Sequence, residues 1–223
     1  MNSIQGAIFD LDGTIIDSEP LWQKAEISLF KEEGLHLTSN DCRKTMGLQT
    51  YEAVKYWHNK IPIKKRTIEE LTIELNKRVI ELIRNESEIK PGIIDVMEIF
   101  RNKNIPMAIA SSSTIKLIEV SVEKFELQKY FSVIWSGDFE KNGKPHPDIY
   151  LSAASSLKID PVYTIAIEDS FNGMISVKAA RMKVVAYLDD GRINDTKYDF
   201  ADLKLESFHN FGLAELEFLQ TLM

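Results

Sequence analysis

Near the start of the chain a short apolar run, Ala7-Ile8-Phe9, ends on two acids one residue apart, Asp10 and Asp12, followed by Gly13. Three apolar β-formers are too few for a helix and predict a buried strand. Residues i and i+2 of an extended chain point to one side, so both carboxyls can face one site. Gly13 then lets the chain turn away without a Cβ clash. From 17 to 88 the pattern is helical throughout. Asp17 or Ser18 can cap a first helix, with Pro20 in its first turn, Leu21, Ala25 and Leu29 at helical spacing, and Gly34 as its stop. A second helix spans 50–57 and is broken by Pro62. Thr67 and Glu70 form a capping-box pattern that opens a third, whose Ile68, Leu71, Leu75, Val79 and Leu82 fall on one face.

After Pro91-Gly92 the pattern changes to short apolar runs alternating with helical ones. It predicts helices over 93–101, 114–125, 148–157 and 171–181, and strands over 106–110, 132–135, 163–167 and 183–187. Such alternation indicates an α/β fold, a doubly wound parallel sheet covered on both faces, with residues 17–88 as a small inserted helical unit. The core is then 1–16 joined with 89–223. In sheets of this kind the ligand crevice lies at the carboxyl ends of the strands. That rule selects Asp10, Ser111, the loop after Trp135, and Glu168-Asp169.

Composition narrows the function classes. At 223 residues the chain can hold one large domain or a core with an insert, and 44% hydrophobic content is ordinary for a globular protein. A net charge of −7 argues against broad electrostatic binding to nucleic acid, so an anionic ligand needs locally concentrated positive charge. No apolar run has the length of a membrane span and no basic-then-apolar leader is visible, so no membrane association is expected. A single cysteine, Cys42, cannot form an internal disulfide, which agrees with a reducing cytoplasm. Nothing demands a partner chain, and a monomer is expected.

Two carboxylates held close at the end of a dry strand repel, and ask for a cation between them or a proton on one. A calcium loop counted from Asp10 would need glycine at its sixth position and glutamate at its twelfth, where Ile15 and Leu21 stand. A plain Asp-x-Asp-Gly surface turn remains the simple alternative. Ser111-Ser112-Ser113, after Met107-Ala108-Ile109-Ala110, offers hydroxyls and free N–H groups to an anion, or merely caps the next helix. Lys144 precedes Pro145, which stiffens its loop; it is a fixed charge or a solvated lysine. His146 reads as a loop residue packing near the site and not as a catalytic group. Glu168-Asp169 repeats the electrostatic problem of Asp10 and Asp12, unless Asp169 is only a helix cap.

Asp10-Leu11-Asp12-Gly13-Thr14 resembles the nucleophile motif of the haloacid dehalogenase superfamily. Ser111, Lys144 before Pro145, and the Glu168-Asp169 pair are similar to its three further motifs, in order. The resemblance covers essentially the whole chain. Asp17-Ser18-Glu19-Pro20-Leu21-Trp22 and Glu168-Asp169-Ser170-Phe171-Asn172-Gly173-Met174 are especially similar to the sugar phosphatase branch, which acts on hexose and hexitol phosphates, including 2-deoxyglucose 6-phosphate. The insert at 17–88 then resembles that family's helical cap domain.

The resemblance implies a magnesium-dependent phosphatase working on a small phosphorylated metabolite through an aspartyl phosphate. Asp10 is the nucleophile and Asp12 the general acid–base. Ser111, Ser112 and Lys144 hold the phosphoryl group. Asp10, the Asp12 carbonyl, Glu168 and Asp169 form the acidic surroundings of Mg2+. In the cap, Glu19 and the stretch Met46-Gly47-Leu48-Gln49 are candidate substrate contacts, the latter also readable as a helix–helix turn. Two alternatives stand beside this. One is a mutase resembling the β-phosphoglucomutases; the other is a receiver-like or phosphate-binding module that would have no use for Asp12. The mutases carry a histidine in the first cap helix where, counting from the nucleophile, this chain has Trp22. Trp22 cannot titrate near neutral pH and reads as a cap-packing residue beside Leu21 and Ala25, so water is expected to take the phosphoryl group.

Overall fold

A computed structural model describes residues 3–60 and 65–223 of the chain. Pro62, the expected end of the second helix, lies outside the described residues. Six parallel strands form one sheet: β1 (Gly6–Phe9), β2 (Met107–Ser111), β3 (Val133–Ser136), β4 (Thr164–Glu168), β5 (Lys183–Tyr187) and β6 (Leu203–Leu205), in the order β3-β2-β1-β4-β5-β6. β1 is central and buried at every position. Its side chains alternate between two packed faces, as a pleated strand requires. Ala7 and Phe9 join Met107, Ile109, Ile165 and Ile167 on one face, while Ile8 joins Ala108, Ala110, Ala166 and Ala186 on the other. The alanine-rich face admits α7 (Asp148–Leu157) and α8 (Phe171–Ala179), which contribute Tyr150, Ala153, Met174 and Val177. The opposite face holds the larger side chains, with Phe9 edge-on to Phe100 of α5 (Ile93–Asn102) and to Phe131. α6 (Ile115–Lys124) supplies Leu117 and Ile118 to that same layer.

Between β1 and β2 the chain runs through α1 (Glu19–Glu32), the single turn α2 (Ser39–Cys42), α3 (Thr50–Lys60) and α4 (Ile68–Glu86). The capping box opens α4: Glu70 N–H donates to Thr67 Oγ1 at 3.2 Å and Thr67 N–H to Glu70 Oε2 at 2.8 Å. Leu71, Leu75 and Val79 are buried as expected, but the stripe ends on Ile83 and leaves Leu82 half-buried. The helical repeat of 3.6 alone would keep Leu82 on the line; steps of four drift around the helix, and it is the packing of α1, α3 and α6 against α4 that covers Ile83 instead. α1 and α3 both pack on α4, and Thr50 Oγ1 donates to Asn76 Oδ1 across that contact. Arg78 joins Glu32 to Glu74 along the exposed side.

Strand bounds shift outward by one residue at the site. β2 runs through Ser111 and β4 through Glu168, because Ser111 pairs with Ser136 and Glu168 with Ala186. The helix expected to reach 181 stops at Ala179, and Arg181 adopts φ +66°, which no right-handed helix accommodates. β6 and α9 (Leu213–Thr221) had no pattern assigned to them. β6 has three residues, and α9 buries only Leu216 and Leu219. Among the described residues no helix is long and apolar enough to cross a membrane.

Leu75→Ala removes a fully buried side chain from the line that holds the insert together and is expected to cost about 2–5 kcal/mol in urea unfolding. Ile73→Ala, two residues away but 71% exposed, is expected to stay within about 0.5 kcal/mol of the parent. Equal losses from the two would contradict this packing.

Candidate active site

Register decides which side chains meet. Phe9 pairs with Ile109 on one side and Ile167 on the other, so the next residues, Asp10, Ala110 and Glu168, stand at one level. From the loop before α7, Lys144 reaches into this row. Its Nζ donates to Asp10 Oδ1 and to Glu168 Oε1, both at 2.6 Å, and to the Ala110 carbonyl at 3.3 Å. Lys144 is 3% exposed, and an ammonium so buried persists only when paired. Burial works against its charge, but Asp10 and Glu168 together hold it above the ordinary lysine value. Glu168 is saturated with donors. Tyr150 OH adds to Oε1 at 2.8 Å, while the Ser170 N–H and Oγ donate to Oε2 at 2.9 and 3.0 Å. Gly173 makes room for this carboxylate, since a Cβ there would stand 1.7 Å from Glu168 Oε1.

Negative charge outweighs positive here. Ligand oxygens of Asp10, Glu168 and Asp169 lie within 4.8 Å of one another, the one such group among the described residues. Burial pushes the Asp10 carboxyl up to about 8 against the pull of Lys144, with Glu168 and Asp12 adding to the rise. Asp169 is held well above its usual range, first by burial and then by Glu168 and Asp10. An all-oxygen donor set with surplus negative charge fits a hard cation. Glu168 already spends both oxygens on Lys144, Tyr150 and Ser170, which leaves Asp10 and Asp169 the freer donors. Gly13 is needed twice over. Its φ is +79°, and a Cβ would lie 2.3 Å from Asp169 Oδ2.

Asp12 faces the other way, toward the insert. Oδ1 accepts from Ser18 Oγ at 2.6 Å and Trp22 Nε1 at 2.8 Å; Oδ2 accepts from Ser113 Oγ at 2.6 Å and Ser111 Oγ at 3.4 Å. Ser18 precedes α1 but gives it no side-chain cap, its hydroxyl being spent on Asp12. Trp22 packs against the core as expected, and its indole N–H in addition bonds the acid. The spacing of 18 and 22, one helical turn and a fraction, puts both donors on one side of α1.

The expected phosphate-holding serines differ. Ser111 is buried beside Asp12, and its Oγ accepts from Ser113 N–H at 3.1 Å; the helix cap is Thr114. Ser112 Oγ donates to the Gly47 carbonyl at 2.9 Å, and Asn172 Nδ2 to the Met46 carbonyl at 3.2 Å, so this stretch of the insert rests on the sheet ends. Together these residues enclose a cavity of about 60 Å³, with Asp10, Asp12, Lys144 and Asp169 below and Glu19, Trp22, Met46 and Gly47 above. Gln49 does not line it. Its amide donates to the Gly137 carbonyl at 2.7 Å and borders an outer cleft with His146, whose Nδ1 lies 3.0 Å from Asp148 Oδ1. Trp22, Ser113, Tyr150 and Glu26, which also lines the cavity, were not singled out for the site from the chain. Helical spacing from Glu19, through Trp22 to Glu26, was the signal available for two of them.

The chain is 33% identical over 214 residues to hexitol phosphatase B of Escherichia coli (strain K12), covering 96% of each. It is 31% identical to a phosphorylated carbohydrates phosphatase of Thermotoga maritima, over 85% of this chain and 89% of that one. Among solved structures, CbbY from Rhodobacter sphaeroides in complex with xylulose-(1,5)bisphosphate superposes with a TM-score of 0.86 at 25% identity, over 96% of this chain and 99% of that one. The family model described as haloacid dehalogenase-like hydrolase matches residues 7–187, a span that runs from the second residue of β1 to the end of β5 and contains every residue of the cavity. The chain belongs to the haloacid dehalogenase-like hydrolase family.

Proposed function

We propose that the protein is a magnesium-dependent phosphatase of small sugar or polyol monophosphates, acting through an aspartyl phosphate on Asp10. The observation that carries this reading is the buried Lys144 ammonium, 2.6 Å from both Asp10 and Glu168. It fixes the orientation of one Asp10 oxygen and supplies a positive charge beside the place a phosphoryl group must occupy. Asp10 and Asp169, with the Asp12 carbonyl, would hold Mg2+, which would offset the charges of phosphate and nucleophile and favour ionised carboxyls.

An Asp10 oxygen forms a bond to phosphorus as the bond from phosphorus to the sugar oxygen breaks. Asp12 gives its proton to that departing oxygen. In the second step water attacks phosphorus, Asp12 takes the water's proton, and the Asp10–phosphorus bond breaks to release inorganic phosphate. Lys144 and Ser111 hold the phosphoryl oxygens, with Ser112 joining them once its bond to the Gly47 carbonyl opens. Residues 17–88 act as a cap over the core formed by 1–16 and 89–223. The cavity of about 60 Å³ is far below the roughly 300–1,000 Å³ of ordinary ligand pockets, so the cap must lift to admit substrate. When it closes, Ser18 and Trp22 return to Asp12, which couples closure to the acid–base group. The names of the Escherichia coli and Thermotoga maritima relatives support sugar and polyol phosphates as the substrate class. The lone Cys42 is buried and free, in keeping with a cytoplasmic enzyme.

The reading is tested by phosphate release from a panel of hexose and hexitol phosphates, with and without magnesium. Asp10→Asn keeps the side-chain shape but is a poor nucleophile; turnover is expected to fall by roughly 10⁴-fold or more with the fold intact by circular dichroism. Parent-like release by this variant, once deamidation is excluded, removes Asp10 from the nucleophile role.

Asp169→Ala is expected to raise the magnesium concentration for half-maximal rate by about tenfold to a hundredfold. Lys144→Ala should leave that concentration nearer the parent's and impair transfer instead. Matching magnesium curves for the two variants would falsify the separation of their roles.

Hydrolysis is expected over mutase chemistry, because Trp22 holds Asp12 through an indole N–H that does not titrate near neutral pH. Given β-glucose 1-phosphate with glucose 1,6-bisphosphate, the enzyme should release phosphate and form little glucose 6-phosphate. Efficient isomerisation with little phosphate would overturn this.

A further inference from the structure

The cap's share of the cavity is acidic and contains one polar atom with nothing to bond. Glu19, Gln23 and Glu26 stand at steps of four and three along α1 and so share its cavity-facing side. Gln23 Nε2 donates to Glu19 Oε1 at 3.0 Å, which occupies that carboxyl. Glu26 is 6% exposed, and its Oε2 is buried without a hydrogen-bond partner. Burial pushes the Glu26 carboxyl up to about 8, with hydrogen bonding to the Cys42 thiol pulling it back in part. Among the described residues that line the cavity, Lys144 is the only cation, and it stands at the Asp10 and Glu168 end. Arg43 and Arg192 approach Glu19 from a separate cleft on its outer side.

A buried carboxyl oxygen without a partner is costly, and natural sites leave one when a ligand supplies the partner. What could supply it is restricted by the surroundings. A second phosphate or a carboxylate at this end would lie beside Glu19 and Glu26 with no free cation to meet it. An alkyl chain would leave Oε2 as it is. A hydroxyl both donates and accepts, so it satisfies Glu26 with or without its proton.

We propose that Glu26 is a specificity-determining residue whose carboxyl bonds a hydroxyl at the end of the substrate away from its phosphate, and that the substrate there is hydroxylated and uncharged. This rests on the phosphatase reading above. It makes the enzyme's substrates polyol or sugar monophosphates, and sets bisphosphates and simple alkyl phosphates apart as poor ones.

The experiment compares kcat/KM for a hexitol 6-phosphate, hexyl phosphate and a hexitol 1,6-bisphosphate, in the parent and in Glu26 variants. The parent is expected to favour the hexitol monophosphate over each of the others by about tenfold or more. Glu26→Met keeps the volume without a hydrogen-bonding oxygen, and Glu26→Ala removes the carboxyl with a smaller side chain, so one folded variant suffices. In either, the hexitol-to-hexyl ratio should fall by about tenfold or more, while Glu26→Gln retains most of it. A ratio unchanged in the Met and Ala variants, or a bisphosphate used as well as the monophosphate, overturns this inference while leaving the phosphatase standing. No phosphate released from any ester by the parent overturns the phosphatase reading and this inference with it.

Discussion

The Lys144 ammonium, held 2.6 Å from Asp10 and 2.6 Å from Glu168, is the contact on which the site depends. Neither acid nor lysine can be buried alone at acceptable cost, and each is buried here because the others are. The pairing is possible only because β1 and β4 are neighbours in register, so that Asp10 and Glu168 leave the sheet side by side. Tyr150, Ser170 and the Ala110 carbonyl take up the remaining hydrogen-bonding capacity, and Gly173 yields the space Glu168 occupies. Asp169 then adds a further carboxyl that Lys144 does not reach. The sheet end is thus built with more negative charge than it can neutralise. That surplus raises Asp10 and Asp169 out of their usual range and is what a hard cation would relieve.

A second arrangement joins insert to core through Asp12. Ser18 and Trp22 arrive from the start of α1, Ser111 and Ser113 from the end of β2, and all four donate to one carboxylate. The same helix carries Glu19 at its first position and Glu26 two turns further on, so one segment both engages the acid and lines the far wall of the cavity. Its outward positions face solvent and its inward ones are divided between apolar packing, through Leu21, Ala25 and Leu29, and polar contacts with the site. Movement of this helix therefore changes the surroundings of Asp12 and the size of the cavity together.

The sheet strands were legible because each is a short apolar run with no polar alternation, the pattern of a strand buried on both faces. Asp10, Ser111, Lys144 and Glu168-Asp169 were legible because polar residues stand where those runs end. Less could be read where burial is partial. β6 and α9 carry too few apolar positions to stand out, and the line on α4 could be followed to Leu82 or Ile83 until α1 and α3 were in place against it. Trp22 shows a different limit. A tryptophan at helical spacing beside Leu21 and Ala25 looks like packing, and its N–H finds a role only when Asp12 is brought across from another element.

The chain by itself determined where β1 to β5 and the helices α1 and α3 to α8 lie, which strand ends bear charge, and that glycine must stand at 13. These follow from local periodicity and local sterics. Tertiary structure alone decided that Glu168 is saturated by Lys144, Tyr150 and Ser170, that Ser112 and Gln49 bind backbone carbonyls across the cap–core contact, and that Glu26 Oε2 is left without a partner. Those are facts about hydrogen-bond satisfaction between residues far apart in the chain, and no local pattern encodes which distant donor a buried oxygen will meet.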